Sequence, residues 1–82
     1  MSDIVTLTEV EKGSVAVIVQ VDGPDDSVVA RLSHLGFLPG TRIKVVRRAP
    51  LGDPTVFELR GNQMSLRKRE SSTIKVTVEE VA

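Results

Sequence analysis

The residue types that most often carry out chemistry are scarce in this 82-residue sequence. It contains no cysteine and one histidine, His34, which excludes thiolate metal sites, disulfides and cysteine nucleophiles. Ser33 precedes His34, but consecutive side chains on a helix do not face each other. The glycines form neither a Gly-Lys-Ser/Thr ending nor a G-x-G-x-x-G run, so no nucleotide-binding loop is expected. The sequence therefore predicts no catalytic residue and no enzyme.

A metal site is equally difficult to assemble from these residues. Iron and zinc sites usually need several imidazole, thiolate or carboxylate ligands that converge on one point. Asp25 and Asp26 lie more than two helical turns before His34, and positions 26 and 34 do not share a helix face. We predict no metal site within the chain, no bound cofactor, and a solvent-facing His34.

Two short segments combine glycine and proline with large apolar side chains. Residues 35–40 read Leu-Gly-Phe-Leu-Pro-Gly, and residues 48–54 read Arg-Ala-Pro-Leu-Gly-Asp-Pro. Ordinary turns combine glycine and proline with polar residues, and stiff loops lose less entropy when they bind. We predict that the two segments form one aliphatic cleft for a protein partner; the alternative is that they close an open end of the fold. The predicted contact residues are Leu35, Phe37, Leu38, Pro39, Arg48, Pro50, Leu51 and Asp53.

The elements that position these loops are mainly strands. Residues 14–21 form a β-branched run whose near-continuous apolarity indicates burial on both faces. Alternating runs follow at residues 42–45, 57–60, 64–67 and 74–79, with a hairpin turn predicted at Gly61-Asn62. Residues 6–10 read as a weak strand or turn, and residues 69–73 as a single helical turn. Connections this short exclude crossover helices and a parallel sheet.

A short helix is predicted between the first long strand and the second. It starts at residues 25–27, where a short polar side chain can accept hydrogen bonds from free N–H groups. Gly36 is expected to adopt a left-handed conformation after the last turn, with Phe37 folded back onto the helix. The sequence thus predicts an all-β, SH3-like barrel of about five strands with one inserted helix, as a single domain over residues 1–82.

Charge is unevenly distributed although the net charge is zero. Residues 1–41 contain two basic and six acidic residues, whereas residues 42–75 contain nine basic and three acidic ones. This pattern is compatible with a positively charged face of the protein. The alternative is that the basic side chains simply lie on the solvent-facing sides of the strands. Nucleic-acid binding is kept as an alternative, but an aromatic content of 2% and a pI of 6.6 argue against it.

No apolar run approaches the ~20 residues that span a bilayer, and the first residues do not resemble a signal peptide. We therefore expect a soluble cytoplasmic protein without direct membrane insertion.

The order of these motifs, from about residue 6 to residue 81, resembles the FeoA family. The resemblance rests on the following features, in this order along the chain: the helix, residues 35–40, a basic strand, residues 48–54, Arg60-Gly61, Leu66-Arg67-Lys68 and a final Ile-x-Val strand. FeoA proteins are small cytoplasmic proteins of bacterial ferrous iron transport. The resemblance implies an SH3-like barrel and, as partner, the membrane transporter FeoB, whose cytoplasmic portion carries a GTP-binding domain.

The function implied by this resemblance is that of a non-enzymatic accessory protein. It would bind the cytoplasmic region of FeoB, modulate the transporter's assembly or GTP cycle, and lie at the inner membrane only through FeoB. A monomer is expected, with weak self-association allowed. The alternative within the same fold is a regulatory module similar to the C-terminal domain of metal-dependent repressors.

Overall fold

The computed structural model describes residues 3–79. Within that range the elements are β1 (Ile4–Thr6), a 3₁₀ helix (Leu7–Glu9), β2 (Val15–Val21), α1 (Asp26–His34), β3 (Arg42–Arg48), β4 (Thr55–Leu59), β5 (Asn62–Leu66), α2 (Lys68–Ser71) and β6 (Ile74–Val78). The strands form one antiparallel sheet in the order β1-β6-β2-β3-β4-β5. The prediction of a mainly β fold with a helix between the first long strand and the next is confirmed.

The inner face of this sheet supplies most of the core. Alternate residues of β3, β4 and β6 point inward because side chains alternate across a strand. The helices and loops contribute the remaining buried side chains, which cover this inner face. The buried apolar residues are Leu7, Val10, Ala16, Ile18, Leu32, Phe37, Ile43, Val45, Phe57, Leu59, Leu66, Ile74 and Val76.

β1 is the strand beyond the five that were predicted. It pairs with β6 through Ile4–Thr77 and Val5–Val76, and the chain then turns through the 3₁₀ helix to bury Leu7 and Val10. Residues 6–10, predicted as a weak strand or a turn, form mainly the 3₁₀ helix, so the turn alternative holds there. β1 lies just before them, and its three residues are too few for alternation to indicate a strand.

β2 buries only one of its faces, so the expectation of burial on both faces was wrong. Ala16 and Ile18 are buried, whereas Val19 is 38% exposed. The register with β6 shifts between Ile18 and Gln20, where a bulge turns the strand. An antiparallel sheet can leave one face to solvent, and β-branched residues are favoured on either face because they suit the pleated backbone.

Both ends of α1 follow from local hydrogen bonds. At its start, Asp25 Oδ1 accepts from the Ser27 backbone N–H at 3.0 Å and from the Ser27 hydroxyl at 2.6 Å. These bonds, the hydroxyl's above all, lower the pKa of the Asp25 carboxyl. The predicted N-terminal region of the helix is confirmed.

At the end of α1, the chain reverses through Gly36, whose φ is +101°. The Gly36 N–H donates to the Ser33 carbonyl at 3.1 Å, and the Phe37 N–H donates to the Leu32 carbonyl at 3.0 Å. This pair of bonds is the Schellman motif. The predicted left-handed residue at Gly36 is confirmed.

The β4–β5 hairpin turns at Arg60-Gly61, one residue earlier than predicted. Leu59 pairs with Asn62, and the two residues between them have φ values of +51° and +82°. Two consecutive positive φ values are characteristic of a type I′ turn. The prediction at Gly61-Asn62 was wrong because the strand register places Asn62 in the first ladder pair and leaves arginine in a position that usually takes asparagine.

Replacing Gly36 by valine should lower the free energy of unfolding by about 2–4 kcal/mol. A β-branched residue resists a positive φ, and a Cβ at this position would lie 3.2 Å from Leu59 Cδ2. Gly13 is the matched control, since its φ is +89° but its added Cβ would meet nothing within 4 Å. Urea denaturation should show a smaller loss for Gly13→Val, and equal losses would contradict the packing contribution at Gly36.

Arg60→Asn should raise the free energy of unfolding by about 0.5–1 kcal/mol, because asparagine tolerates the left-handed conformation better than arginine. The measurement is the urea midpoint at an unchanged slope. Arg60→Val at the same position should shift the midpoint in the opposite direction. A stabilised valine variant would show that the turn does not have the φ values described.

Candidate docking surfaces

Phe37 does not belong to an exposed surface. Its side chain is 1% exposed, because the Schellman motif at the end of α1 directs the following residue back toward the buried Leu32. The prediction that Phe37 contacts a partner is therefore wrong. It is a core residue. In the sequence, its apolar character was compatible with packing in the core and with contacting a partner.

Apart from Arg48, which is the last residue of β3, the remaining predicted residues fall on two loops that leave opposite ends of that strand. We call residues 35–40 the helix-end loop and residues 49–54 the Leu51 loop. The seven residues of β3 extend about 20 Å at ~3.3 Å per step. The helix-end loop lies beside β2, where the Gly40 N–H donates to the Ile18 carbonyl at 2.7 Å. The expected single cleft is therefore wrong, and the candidate site consists of two separate surfaces.

The helix-end loop exposes two leucines beside a basic groove. Leu35 is 36% exposed and Leu38 is 40% exposed, and Pro39 is exposed with them. The groove next to them is lined by Pro39, Arg42 and Arg60. Arg42 also forms an ion pair with Glu79 at 2.8 Å, which offsets part of the groove's positive charge.

The Leu51 loop presents its leucine at the tip. Leu51 is 97% exposed, the most exposed of the large apolar residues in the described part of the chain. The base of the loop is fixed, since the Ala49 N–H donates to the Pro54 carbonyl at 3.0 Å and the Gly52 N–H donates to the Ala49 carbonyl at 2.7 Å. The loop that carries the exposed Leu51 is therefore held in place by backbone hydrogen bonds.

Two of the predicted contact residues have internal partners. Arg48 is half-buried, and its guanidinium donates to the backbone carbonyls of Thr8 and Val10, which fastens the end of β3 to the 3₁₀ helix. Asp53 is exposed, and its Oδ1 accepts from the Lys68 backbone N–H at 2.9 Å. Arg48 therefore has a structural role that the sequence did not indicate, and Asp53 ties the Leu51 loop to α2.

The structure also shows a buried charge that sequence reasoning missed. Glu70 is 5% exposed and forms an ion pair with Arg31, which joins α2 to α1. Its Oε1 accepts from the Arg67 backbone N–H at 3.1 Å. The spacing of Arg67 and Glu70 resembles that of a capping box, but arginine is not a typical first residue of that motif, so the motif is hard to identify from the residues alone.

Residues 3–79 contain no group of three or more His, Cys, Asp or Glu side chains placed to hold a metal ion. His34 is exposed at the end of α1. In the same range, neither α-helix has the length and apolar character needed to cross a bilayer.

The FeoA domain family matches residues 5–78 of the chain. A curated relative from Porphyromonas gingivalis (strain ATCC BAA-308 / W83) is an Fe(2+) transport protein A/Fe(2+) transporter FeoB fusion protein. It is 37% identical over 70 residues, which make up 85% of this chain and 8% of the relative. The chain therefore spans less than a tenth of that fusion protein.

Solved structures of similar proteins have the same fold. The NMR structure of a FeoA-like protein from Clostridium acetobutylicum is 34% identical, with a TM-score of 0.88 over 100% of this chain and 94% of that one. Stenotrophomonas maltophilia FeoA, described as a procaryotic SH3 domain protein and solved in complex with zinc, is 27% identical. Its TM-score is 0.82 over 95% of this chain and 99% of that one. The SH3-like prediction is confirmed.

A manganese-dependent transcriptional repressor also contains this fold. It is 14% identical, with a TM-score of 0.86 over 96% of this chain and 38% of the repressor. Identity this low carries information on the fold alone. The family model matches residues 5–78, and the fusion protein is 37% identical over 85% of this chain. Together these two similarities show that the chain belongs to the FeoA family.

Proposed function

We propose that the chain is a non-enzymatic accessory domain of ferrous iron uptake that docks on the cytoplasmic region of the FeoB transporter and modulates its assembly or GTP cycle. The FeoA family assignment and the fusion of the two proteins in a relative support this proposal. Fusion raises the effective concentration of two modules to about the millimolar range. At such a concentration, a small docking surface of modest affinity is sufficient to keep the domain bound to FeoB.

The observation that carries the proposal is the exposure of Leu51. At 97% exposure it gains nothing from the core of its own chain, yet burial of a leucine side chain contributes about 1.5–3 kcal/mol. The hydrogen bonds at the base of the Leu51 loop restrict its backbone before any partner binds, which reduces the entropy lost on docking. An apolar pocket on the partner would therefore gain most of that energy.

The proposed contact residues follow from the two separate surfaces. Pro50, Leu51 and Asp53 form the primary contact, and Leu35, Leu38 and Pro39 form a second one at the other end of β3. Phe37 and Arg48 are omitted because they serve the fold.

Exposed basic residues lie on the same half of the chain as the Leu51 loop. Arg42 and Lys44 of β3 are exposed, as are Arg67, Lys68 and Arg69 around α2. Their charge would raise the rate of association with an acidic or membrane-proximal region of the transporter more than the final affinity. The association rate should therefore fall as salt concentration rises.

Leu51→Asp should weaken binding to full-length FeoB in nanodiscs by about thirtyfold, the effect of losing one apolar anchor. The free energy of unfolding should change by less than about 0.5 kcal/mol, since the side chain contacts solvent. Biolayer interferometry and a urea titration measure the two quantities. The GTP hydrolysis rate of the transporter, with and without the wild-type chain, tests modulation.

Ile4→Asp is the matched control, because Ile4 is 58% exposed and lies on β1, an end strand of the sheet that pairs with β6 and not with β3. It should bind as the wild type does. Leu38→Asp tests the second surface and should have a smaller effect than Leu51→Asp. Equal weakening by Ile4→Asp and Leu51→Asp would contradict docking through the Leu51 loop.

A further inference from the structure

A polar cavity of about 170 Å³ lies where the Leu51 loop, the 3₁₀ helix and α2 meet. Two cationic and three hydroxyl side chains contribute to its walls. They are Thr8 from the 3₁₀ helix, Arg48 from the end of β3, Thr55 from the start of β4, and Lys68 and Ser71 from α2. These five residues come from four separate stretches of the chain, so no pattern in the sequence indicates that they meet.

The two cations of the cavity have no carboxylate partner in an ion pair. Within residues 3–79 the ion pairs join Arg31 to Glu70 and Arg42 to Glu79, and neither includes Arg48 or Lys68. Asp53 is the acidic residue bound to this region, but its Oδ1 accepts the backbone N–H of Lys68 and it does not line the cavity. The walls therefore carry an excess of positive charge.

Arg48 is held in position with donors to spare. A guanidinium has five N–H donors, and the contacts to the Thr8 and Val10 carbonyls engage its two terminal nitrogens. The backbone contacts fix the plane of the group, and its other N–H bonds remain for a ligand. Lys68 adds an ammonium with three donors on a flexible stem.

Thr55 supplies the most informative group of the site. The residue is only 6% exposed, and its hydroxyl makes no hydrogen bond to another group within the described residues. Since no fully buried side-chain polar atom there lacks a partner, the Thr55 hydroxyl must have some surface open to solvent, and Thr55 lines the cavity. The other hydroxyls are engaged, Thr8 with Thr6 at 2.7 Å and Ser71 with the Arg67 carbonyl at 3.4 Å.

We propose that this cavity binds a small oxyanion of the phosphate class. Arg48 and Lys68 would supply the charge, and the Thr55 hydroxyl would donate one directed hydrogen bond. A tetrahedral phosphate presents acceptors in several directions, which suits donors from different elements, whereas carboxylate acceptors lie in one plane. The volume equals that of about six waters at ~30 Å³ each, enough for inorganic phosphate with some hydration and too small for a nucleotide.

The test is an NMR titration of the full ¹⁵N-labelled chain with inorganic phosphate at constant ionic strength. Phosphate up to about 20 mM detects dissociation constants in the millimolar range. Saturable shifts are expected for the amides of Thr8, Gly52, Thr55 and Ser71, with smaller shifts from acetate. A phosphomonoester such as glycerol phosphate, titrated in parallel, distinguishes a site for the free ion from one for a phosphate group on a larger molecule.

Thr55→Val is the decisive variant, because it keeps the shape of the side chain and removes a hydroxyl that has no internal partner. It should weaken phosphate binding about tenfold or more while leaving the urea midpoint at or above that of the wild type. Lys68→Met should weaken binding about threefold or more. Thr41→Val is the matched control, since Thr41 is 8% exposed and lines the groove at the other end of β3; it should not change the affinity.

Three results would overturn the proposal. They are non-saturating shifts, equal affinity for acetate and phosphate, or unchanged phosphate affinity in Thr55→Val when that variant is folded. The docking proposal is tested separately with Leu51→Ser, because Leu51 does not line the cavity. This variant removes the apolar anchor, leaves all five of these side chains in place and adds no charge beside the site, so it should bind phosphate as the wild type does.

Discussion

The structure depends on burying the inner face of one antiparallel sheet that has few aromatic residues to fill it. Ile43 and Val45 of β3 and Phe57 and Leu59 of β4 all lie within 2% of full burial. A shift of one residue in the pairing of these strands would turn the two inward-facing side chains of one strand toward solvent while those of its partner stay in the core. The β3–β4 register is therefore strongly determined by the core, and the positions of both loops attached to β3 follow from it.

The register also explains why the two glycine- and proline-rich segments act as separate surfaces. β3 connects them, and a seven-residue strand cannot bring its two ends together. Each loop is then fixed by different neighbours, the helix-end loop by β2 and the Leu51 loop by α2. A partner that contacted both would have to extend along the length of the strand, whereas a partner that takes Leu51 alone needs only one apolar pocket.

The basic residues of the second half of the chain serve three different purposes. Arg48 holds backbone carbonyls of the 3₁₀ helix, and Arg42 pairs with Glu79. Lys68 stands at the cavity wall without a carboxylate partner in an ion pair of the described residues. Net charge along the sequence does not separate these roles, because each depends on which groups from distant segments lie within hydrogen-bonding distance. Local charge excess at the cavity exists although the chain as a whole is neutral.

The amino-acid sequence alone determined the features that depend on neighbouring residues. Alternation fixed β3, β4 and β6, Asp25 and Ser27 defined the start of α1, and Gly36 defined its end, because these signals act over one or two turns or a few strand residues. The motif order was specific enough to indicate the family.

Only the tertiary structure decided whether an apolar side chain in the two glycine- and proline-rich loops faced the core or the solvent. Phe37 and Leu51 both follow turn-forming residues, yet the first is 1% exposed and the second 97%. That difference arises because the Schellman bonds turn one toward the helix, while the Leu51 loop projects beyond the sheet. The meeting of Thr55 with Arg48 and Lys68 was likewise invisible in the sequence, since no short-range pattern brings a strand end and a distant helix around one cavity.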